Sequence, residues 1–209
     1  MTIEEYIAEH IDQEGDVLKK INRDTHVRTY NPRMLSGHTQ GRLLSMLSKM
    51  IQPHRILELG TFTGYSALCL AEGLTENGEL HTVEANDEME EFIRQNLAQS
   101  ELNHKIKLYI QDALEYIDST TEMYDLIFID ADKREYKKYY EKLIDRLNPN
   151  GYIIADNTLW DGKVLTTPQA NDYQTIGIKE FNDYVAQDTR IEKIILPLRD
   201  GMTIIRKKA

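Results

Sequence analysis

The sequence predicts an α/β fold: a doubly wound, Rossmann-like sheet of seven strands, mostly parallel with an antiparallel edge strand, helices on both faces, and extra N-terminal helices. Short β-rich runs alternate with amphipathic helical stretches, which is typical of βαβ units around a parallel sheet. Asp200-Gly201, between the last two β-rich runs, indicates a tight turn. We expect residues 1–209 to form a single domain, with a helical cap over residues 1–50 and the sheet core over residues 51–209.

Five β-rich runs are predicted to form the parallel part of the sheet. Each is short and largely apolar, as expected for strands that are buried on both faces. They cover residues 55–59, 79–84, 106–110, 124–130 and 152–156. Two further strands, over residues 191–196 and 202–206, flank the Asp200-Gly201 turn and are expected to pair antiparallel at a sheet edge.

Helices are predicted to fill the gaps between the strands. Residues 67–72 form the helix that follows the first strand. Before that strand, residues 4–22 and 33–50 also look helical, because apolar side chains recur at helical spacing, most clearly in the second segment. This leading pair is an addition to the sheet, and we interpret it as a lid.

The composition limits the class of protein. A formal net charge of −10 disfavours nonspecific nucleic-acid binding, although it leaves room for a local basic patch. Cys69 is the only cysteine, which excludes a disulfide framework and a cysteine metal cluster and fits a reducing compartment. The N-terminal residues do not show the basic-then-apolar signature of a secretion signal, and no apolar run reaches the roughly 18 residues needed to cross a bilayer. We therefore expect a cytoplasmic protein without membrane association.

The first strand runs into a glycine-bearing turn that precedes a helix. Gly60 and Gly64 allow a ligand to approach the backbone closely. The three-glycine dinucleotide pattern fails, because Phe62 and Tyr65 occupy its second and third glycine positions, and NAD is therefore disfavoured. Glu84 ends the second strand, where an acidic side chain can accept both hydroxyls of an adenosine ribose.

Asp112 and Ala113 follow the third strand and are expected to flank the adenine of such a ligand. The alternative interpretation of Gly60 and Gly64 is an ordinary turn.

Oxygen-bearing side chains stand where two apolar strands stop: Asp130 at one, and Asp156 with Asn157 at the other. Neighbouring parallel strands lie about 4.8 Å apart, so these side chains can converge on one hard divalent cation if the strands pair. Consecutive strand residues point to opposite faces, so Asp156 and Asn157 both reach a cation only if the strand ends there. Alternatively, Asp130 caps a helix and Asp156-Asn157 forms a turn.

Four segments carry a resemblance to a known family: residues 58–66 (ELGTFTGYS), 127–133 (IFIDADK), 156–160 (DNTLW) and 196–204 (LPLRDGMTI). Together they resemble class I S-adenosylmethionine-dependent O-methyltransferases, in particular the cation-dependent branch that contains catechol and caffeoyl-CoA O-methyltransferases. The resemblance extends from about residue 34 to the C-terminus. The residues before Arg33, a segment that helps to shape the acceptor pocket in this family, match much less well.

The resemblance implies S-adenosylmethionine as the cofactor, together with Mg²⁺ or another divalent cation such as Ca²⁺ or Mn²⁺. The cofactor-binding residues are then Met34, Ser36, Glu58, Gly60, Ser66, Glu84, Asp112, Ala113 and Asp130. The implied metal ligands are Asp130, Asp156 and Asn157. Trp160, Asp200 and Arg33 are candidates for contact with the acceptor.

Methyl transfer from a sulfonium is an in-line displacement, so holding the acceptor oxygen close to the methyl carbon supplies most of the catalysis. A cation also favours ionisation of a bound phenolic hydroxyl. Lys133 is the candidate general base and, with Asp130, the predicted catalytic pair, because burial beside a cation favours the neutral amine. The alternative is a solvated lysine that begins the basic stretch Lys133, Arg134, Lys137 and Lys138.

The predicted function is metal-dependent transfer of a methyl group to a hydroxyl of a small ortho-dihydroxy aromatic molecule. Arg23, Arg28 and Arg33 surround His26 and keep open a second acceptor, 5-hydroxyuridine of tRNA, which related bacterial proteins of this family modify. A non-catalytic S-adenosylmethionine-binding module and an NAD-dependent oxidoreductase are further alternatives. A homodimer is expected from the resemblance and from twelve tyrosines against four phenylalanines, since tyrosine suits half-hydrated interfaces.

Overall fold

The structure, a computed structural model, describes all 209 residues. The strands are β1 Arg55–Leu59, β2 Glu79–Glu84, β3 Ile106–Ile110, β4 Tyr124–Ile129, β5 Leu147–Asp156, β6 Ile191–Leu196 and β7 Met202–Lys207. They form one sheet in the order β3-β2-β1-β4-β5-β7-β6, which confirms the predicted doubly wound fold. The antiparallel strand is β7, which pairs with β5 and with the outermost strand β6, and the other pairs are parallel. β5 begins earlier than predicted, because Leu147 already pairs with Tyr124 before a shift in register.

Eight α-helices cover the sheet and build the N-terminal cap. They are α1 Ile3–His10, α2 Asp16–Arg28, α3 Gly37–Ile51, α4 Tyr65–Ala71, α5 Glu90–Leu97, α6 Ala113–Ser119, α7 Tyr136–Leu143 and α8 Tyr173–Gln187. Short 3-10 turns cover Pro32–Met34, Asp87–Met89, Glu101–Lys105, Lys133–Glu135 and Trp160–Leu165. None of the helices has the length and apolar character needed to span a membrane.

The helices predicted before the first strand have the wrong extent. The continuous helix over residues 4–22 is two helices, because the backbone becomes extended at Ile11 and Gly15 is the N-cap of α2. Glycine is unfavourable inside a helix, so a break there costs little. The helix over residues 33–50 begins only at Gly37, because Pro32 starts a 3-10 turn and Leu35 is extended. The helix predicted over residues 67–72 begins earlier, at Tyr65.

Two apolar clusters lie on opposite faces of the sheet. Leu57 and Ile127 belong to one cluster, and their neighbours Ile56 and Phe128 belong to the other. This division follows from the alternation of side chains along a strand. Helices α6, α7 and α8 close the first face, whereas α3, α4 and α5 close the second. The cap joins the second cluster through Ile21 of α2, which is fully buried.

Six of the twelve tyrosines are buried within the chain itself, among them Tyr136, Tyr139 and Tyr140. Tyr136 and Tyr140 contact Phe181 of α8 edge to face, with ring centroids 5.6 and 6.1 Å apart. These side chains stabilise the core. The inference from tyrosine content to a subunit interface is therefore wrong for them.

The homodimer remains a prediction that rests on family resemblance. Sedimentation velocity at micromolar concentration is expected to show a species with twice the chain mass of 24.3 kDa. A species that sediments as a monomer over that range would contradict it.

Candidate active site

A cavity of about 1040 Å³ lies at the carboxyl ends of four neighbouring strands. Gly60 follows β1, Glu84 ends β2, Asp130 follows β4 and Asp156 ends β5, and all four residues line the cavity. β1 lies between β2 and β4, where the order of strands along the chain reverses. Open α/β sheets bind ligands at this position. Residues 28–31 and 33–36, between α2 and α3, line the cavity from the cap side.

The glycine turn packs directly against the end of β4. Gly60 has a φ of 96°, and a Cβ at this position would lie 2.1 Å from the backbone oxygen of Asp130. Gly64 has a φ of 85° and immediately precedes α4. Only glycine adopts such a backbone without strain and without a clash. The two glycines are therefore required for the turn to lie beside Asp130.

The carboxylate of Glu84 fixes this turn. Its Oε2 accepts a hydrogen bond of 2.8 Å from the backbone N–H of Phe62, and its Oε1 accepts one of 2.9 Å from the backbone N–H of Asn86. Phe62 has a φ of 51°, a left-handed conformation that residues other than glycine rarely adopt. Glu84 thus links the end of β2 to a strained residue of the glycine turn while it lines the cavity.

Two other predicted cofactor-binding residues lie at the start of α6. Asp112 caps this helix, since its Oδ1 accepts hydrogen bonds from the backbone N–H groups of Leu114 and Glu115 at 2.8 and 3.2 Å. Asp112 and the buried Ala113 both line the cavity. Three further residues of the predicted set also do so: Met34, Ser36 and Ser66.

Glu58 is a fully buried carboxyl in β1 that does not itself line the cavity. Its Oε2 accepts a 2.5 Å hydrogen bond from the hydroxyl of Thr82, whereas its Oε1 has no hydrogen-bond partner. Burial raises the pKa of Glu58 to about 8, because the charged form loses its hydration.

This raised pKa predicts a pH dependence of stability. The folded protein retains a proton on Glu58 that the unfolded chain releases above its usual pKa of 4.5, so the free energy of unfolding falls as pH rises from there to about 8. The Glu58→Gln variant has no ionisable group at this position, so its free energy of unfolding lacks this decrease. Between about pH 5 and pH 8, the melting temperature of the wild type should fall relative to that of Glu58→Gln, measured without ligands.

Glu192→Gln is a suitable control for this comparison, because that side chain is 60% exposed. Its melting temperature should follow that of the wild type across the same range. A wild type and a Glu58→Gln variant that differ by a constant amount at every pH would show that Glu58 does not titrate in this window.

The acidic side chains of β4 and β5 meet at one end of the cavity. Asp156 is 4% exposed, and its Oδ1 accepts a 2.8 Å hydrogen bond from the backbone N–H of Asn157. Burial raises the pKa of Asp156 to about 6, and the neighbouring charge of Asp130 adds to the shift. Asn157 has a φ of 58°, so the strand has ended there, as simultaneous ligation by both residues requires.

This donor set fits a hard divalent cation. Asp130, Asp156 and Asn157 offer two carboxylates and an amide oxygen, the ligand types that Mg²⁺, Ca²⁺ and Mn²⁺ prefer. A cation would offset the repulsion between the two carboxylates. No group of three or more His, Cys, Asp or Glu side chains suited to a metal occurs in the chain, so a cation held by Asp130 and Asp156 would need a donor of another type, such as the amide oxygen of Asn157.

Lys133 lies within this acidic end. Its side chain is 9% exposed, and its Nζ donates a 2.6 Å hydrogen bond to Oδ1 of Asp130. The same ammonium lies 5.1 Å from the ring centroid of Tyr136. The neighbouring side chains Arg134 and Lys138 are 59% and 60% exposed. The interpretation of Lys133 as a solvated lysine is therefore wrong.

Arg33 and Trp160 line the cavity, whereas Asp200 does not. Instead, the backbone oxygen of Asp200 accepts hydrogen bonds from the N–H groups of Leu159 and Trp160, and its Oδ1 accepts one of 2.5 Å from that of Asp161. Trp160 and Asp161 have φ values of 47° and 52°, so Asp200 stabilises a strained loop. In the structure, Asp200 contacts the loop that carries Trp160.

Sequence reasoning missed two residues beside Asp156. The Nε2 of Gln40 donates a 2.7 Å hydrogen bond to its Oδ2, and Arg199 donates one of 3.0 Å to Oε1 of Gln40. A signal for Gln40 was present, because this polar residue occupies the same helical face as Leu44, four residues later, and both are buried. Arg199 lies in the 196–204 motif, but nothing in that motif pointed to a contact with Gln40.

Comparisons with known proteins identify the family of the chain. A family model described as O-methyltransferase matches residues 8–208. Caffeoyl-CoA O-methyltransferase 1 of Nicotiana tabacum is 35% identical over 206 residues, which cover 93% of this chain and 86% of the relative. Caffeoyl-CoA O-methyltransferase 2 of Petunia hybrida is also 35% identical over 93% of this chain and 85% of its own.

Two solved structures are similar over almost their whole length. The O-methyltransferase of Bacillus cereus in complex with SAH has a TM-score of 0.91 and 27% identity, covering 99% of this chain and 97% of its own. The O-methyltransferase TomG of Streptomyces achromogenes, involved in tomaymycin synthesis and in complex with SAM, has a TM-score of 0.89 and 26% identity, covering 100% of both chains.

Proposed function

The chain belongs to the S-adenosylmethionine-dependent O-methyltransferase family, of the caffeoyl-CoA O-methyltransferase type, and we propose that it methylates one hydroxyl of an ortho-dihydroxy aromatic molecule with the help of a divalent cation. The observation that carries this proposal is one cavity with a glycine turn and Glu84 in one part and the oxygens of Asp130, Asp156 and Asn157 in another. Three protein oxygens would leave about three positions on a roughly octahedral cation, enough for two vicinal oxygens of an acceptor and one water.

The cofactor would lie along the glycine turn. Gly60 permits close approach to the backbone, Glu84 would accept the ribose hydroxyls, and Ala113 would contact the adenine. Met34 and Ser36 would cover the methionine end from the cap side. When bound, S-adenosylmethionine supplies a methyl group on a positively charged sulfur, and the divalent cation favours the anionic form of an acceptor hydroxyl.

The residues of the chain would then supply position and a proton acceptor. Asp130, Asp156 and Asn157 would hold the cation at a fixed place relative to the glycine turn, so that the acceptor oxygen lies in line with the methyl carbon. Lys133, in its neutral form, would accept the hydroxyl proton at Nζ, which lies within the acidic end of the cavity. Trp160 and Arg33 would contact the body of the acceptor.

Transfer of a labelled methyl group from S-adenosylmethionine tests this function. A catechol should be methylated in the presence of Mg²⁺, and EDTA should stop the reaction until Mg²⁺ is restored. The matching phenol with only one hydroxyl should react poorly, because it cannot chelate a cation. Activity that persists in EDTA, or equal rates for the phenol and the catechol, would contradict the cation-dependent mechanism.

A second acceptor class has one observation in its favour. The side chains of Arg28 and Arg33 are exposed and line the cavity on the cap side, where an anionic acceptor such as RNA would meet them. The net charge of −10 opposes this reading. Incubation with labelled cofactor and fractionated metabolites and RNA separates the two acceptors, and absence of label in all fractions would favour a non-catalytic binding module.

Glu84→Ala is expected to weaken S-adenosylmethionine binding by about 1.5 to 3 kcal/mol, the range for hydrogen bonds to a charged group. The substitution removes the proposed ribose acceptor and also the bond that holds Phe62. Calorimetry without added metal measures the effect, because the glycine turn needs no cation.

Glu88→Ala is the matched control, since Glu88 is an exposed acid that lines the same cavity and its carboxylate holds no part of the turn. It should bind S-adenosylmethionine nearly as well as the wild type. An unchanged affinity in Glu84→Ala would remove Glu84 from the cofactor site.

A further inference from the structure

We propose that Gln40 and Arg199 are positioning residues that hold the carboxylate of Asp156 in the orientation required to bind a divalent cation. The inference rests on the proposed function, because it concerns the cation that the reaction would use. Gln40 lies in α3 of the cap region, and Arg199 lies in the turn between β6 and β7. They reach Asp156 from two parts of the chain far apart in sequence.

Both oxygens of Asp156 have a fixed hydrogen-bond donor. The Oδ2 accepts from Nε2 of Gln40 at 2.7 Å, and the Oδ1 accepts from the backbone N–H of Asn157 at 2.8 Å. Rotation of the carboxylate would break at least one of these bonds. Each oxygen keeps a further lone pair for a cation. The two donors therefore fix the direction in which Asp156 presents its oxygens.

The amide of Gln40 can take only one orientation in this arrangement. Gln40 is 1% exposed, and its Oε1 accepts a 3.0 Å hydrogen bond from Nη1 of Arg199. An arginine side chain has donors and no acceptor, so the amide atom that faces it must be the oxygen. The amide nitrogen then faces Asp156. If the amide were flipped, its N–H groups would face the donor Nη1 of Arg199, and its oxygen would face the carboxylate of Asp156. Both contacts are unfavourable, so Arg199 selects the orientation that Asp156 needs.

Arg199 is itself held by the cap. Its Nη1 also donates to the backbone oxygens of Leu35, at 3.0 Å, and Ser36, and its Nη2 donates to that of Arg33 at 3.2 Å. The three oxygens near Nη1 share its two N–H groups. Arg199 has a φ of 50°, a conformation that glycine adopts without strain. The side-chain hydrogen bonds offset this backbone strain.

The structure thus gives Arg199 two separate contacts with the site. Through Gln40 it reaches Asp156, and through Leu35 and Ser36 it holds the segment that lines the cavity at the proposed methionine end of the cofactor. Partners that orient metal ligands typically contribute about 10- to 100-fold to metal affinity. Loss of the contact with Asp156 in Gln40→Met should therefore weaken cation binding alone, whereas loss of both contacts in Arg199→Gly should weaken cation and cofactor binding.

Titration of the full chain with Mn²⁺, followed by electron paramagnetic resonance, tests the inference with a readout that needs no turnover. Gln40→Met keeps the side-chain volume and removes the donor, so the dissociation constant for Mn²⁺ should rise about 10- to 100-fold. Its S-adenosylmethionine affinity should stay unchanged. In activity measurements, the Mg²⁺ concentration needed for half-maximal rate should rise, while the rate at saturating Mg²⁺ should approach that of the wild type.

Arg42→Met is the control for damage to the same helix. Arg42 lies in α3 and pairs with Glu72 of the neighbouring segment at 2.7 Å, and it does not line the cavity. Its loss should lower the melting temperature and leave the Mn²⁺ affinity as in the wild type. A Gln40→Met protein that binds Mn²⁺ as the wild type does would overturn the inference.

Arg199→Gly provides an independent test. Because Arg199 lies in an exposed turn, this variant should fold, and it can test the inference if Gln40→Met fails to fold. It should weaken Mn²⁺ binding and S-adenosylmethionine binding, whereas Gln40→Met affects only the first. If Arg199 acts on the cation through Gln40, the double variant should bind Mn²⁺ no more weakly than Gln40→Met alone. If the losses of Mn²⁺ binding free energy in the two single variants add up in the double variant, Arg199 does not act on the cation through Gln40, and this part of the inference is overturned.

The same titration separates this inference from the proposed function. A wild type that binds Mn²⁺ with the same affinity as both variants would refute only the positioning role. A wild type that binds no Mn²⁺, or methylates catechols in EDTA, would refute the cation-dependent function and the inference together.

Discussion

Replacement of Asp130 by alanine is expected to abolish cation binding and methyl transfer together. Asp130 is one of only two carboxylates among the three proposed ligands, and its removal leaves Asp156 and the neutral Asn157. The variant would keep one charged and one neutral oxygen ligand, so its affinity for a hard divalent cation should fall steeply. Mn²⁺ titration and transfer of labelled methyl to a catechol, measured on the same preparation, should both fall to background.

The Asp130→Ala protein also loses the partner of a buried lysine. Lys133 would keep a charge with no carboxylate at hydrogen-bond distance, and breaking such a pair typically costs about 3 to 5 kcal/mol. Asp130→Asn retains the shape and an oxygen, so it separates loss of charge from collapse of the site. Both variants should lack activity if the charge is required.

Asp118→Ala is the control, since it removes an aspartate that pairs with Lys142 at 2.5 Å on the surface. It should bind Mn²⁺ and transfer methyl groups as the wild type does. An Asp130→Ala protein that is folded and still binds Mn²⁺ would remove Asp130 from the proposed ligand set.

The sheet and the acidic strand ends were predictable because both depend on local sequence. The apolar runs of β1, β4 and β5 stop where Gly60, Asp130 and Asp156 begin the loops, and parallel strands bring their carboxyl ends to the same side. The sequence pattern was therefore sufficient to anticipate that Gly60, Asp130 and Asp156 share the cavity.

The cap and the contacts around Asp156 were not predictable in this way. Apolar residues at Ile11 and Leu35 fit helical spacing, yet neither lies in a helix, because Gly15 caps the start of α2 and Pro32 begins a 3-10 turn. The bond from Gln40 to Asp156 joins residues 116 positions apart, and that from Arg199 to Gln40 joins residues 159 positions apart. Such contacts depend on how the cap packs on the sheet. No pattern in the sequence encodes that geometry.

Asp200 illustrates a residue whose role the sequence alone leaves open. The sequence makes Asp200 a candidate for contact with the acceptor, and in the structure its oxygens accept hydrogen bonds from the backbone of Leu159, Trp160 and Asp161. A carboxylate beside an active site is equally suited to a ligand and to the backbone N–H groups of a strained loop. Only the folded position of the loop distinguishes these possibilities.

Replacement of Lys133 by alanine is expected to lower the rate by about 10² to 10⁴, the usual contribution of a general base, while cation and cofactor still bind. The side chain is 9% exposed and its Nζ lies 2.6 Å from Oδ1 of Asp130, so it occupies the acidic end without being one of the oxygen donors. Its removal also eliminates a positive charge that competes with a cation for Asp130. Mn²⁺ affinity should therefore be unchanged or higher, in contrast to the Asp130 variants.

Lys133→Arg distinguishes a proton acceptor from a simple positive charge. Arginine preserves the charge beside Asp130 but stays protonated in proteins, so it cannot accept the hydroxyl proton. If Lys133 is the base, Lys133→Arg should be nearly as slow as Lys133→Ala. Lys137→Ala, which removes a 39% exposed lysine of the same basic stretch, should retain the wild-type rate. Recovery of the rate in Lys133→Arg would assign Lys133 an electrostatic role and leave proton loss to solvent.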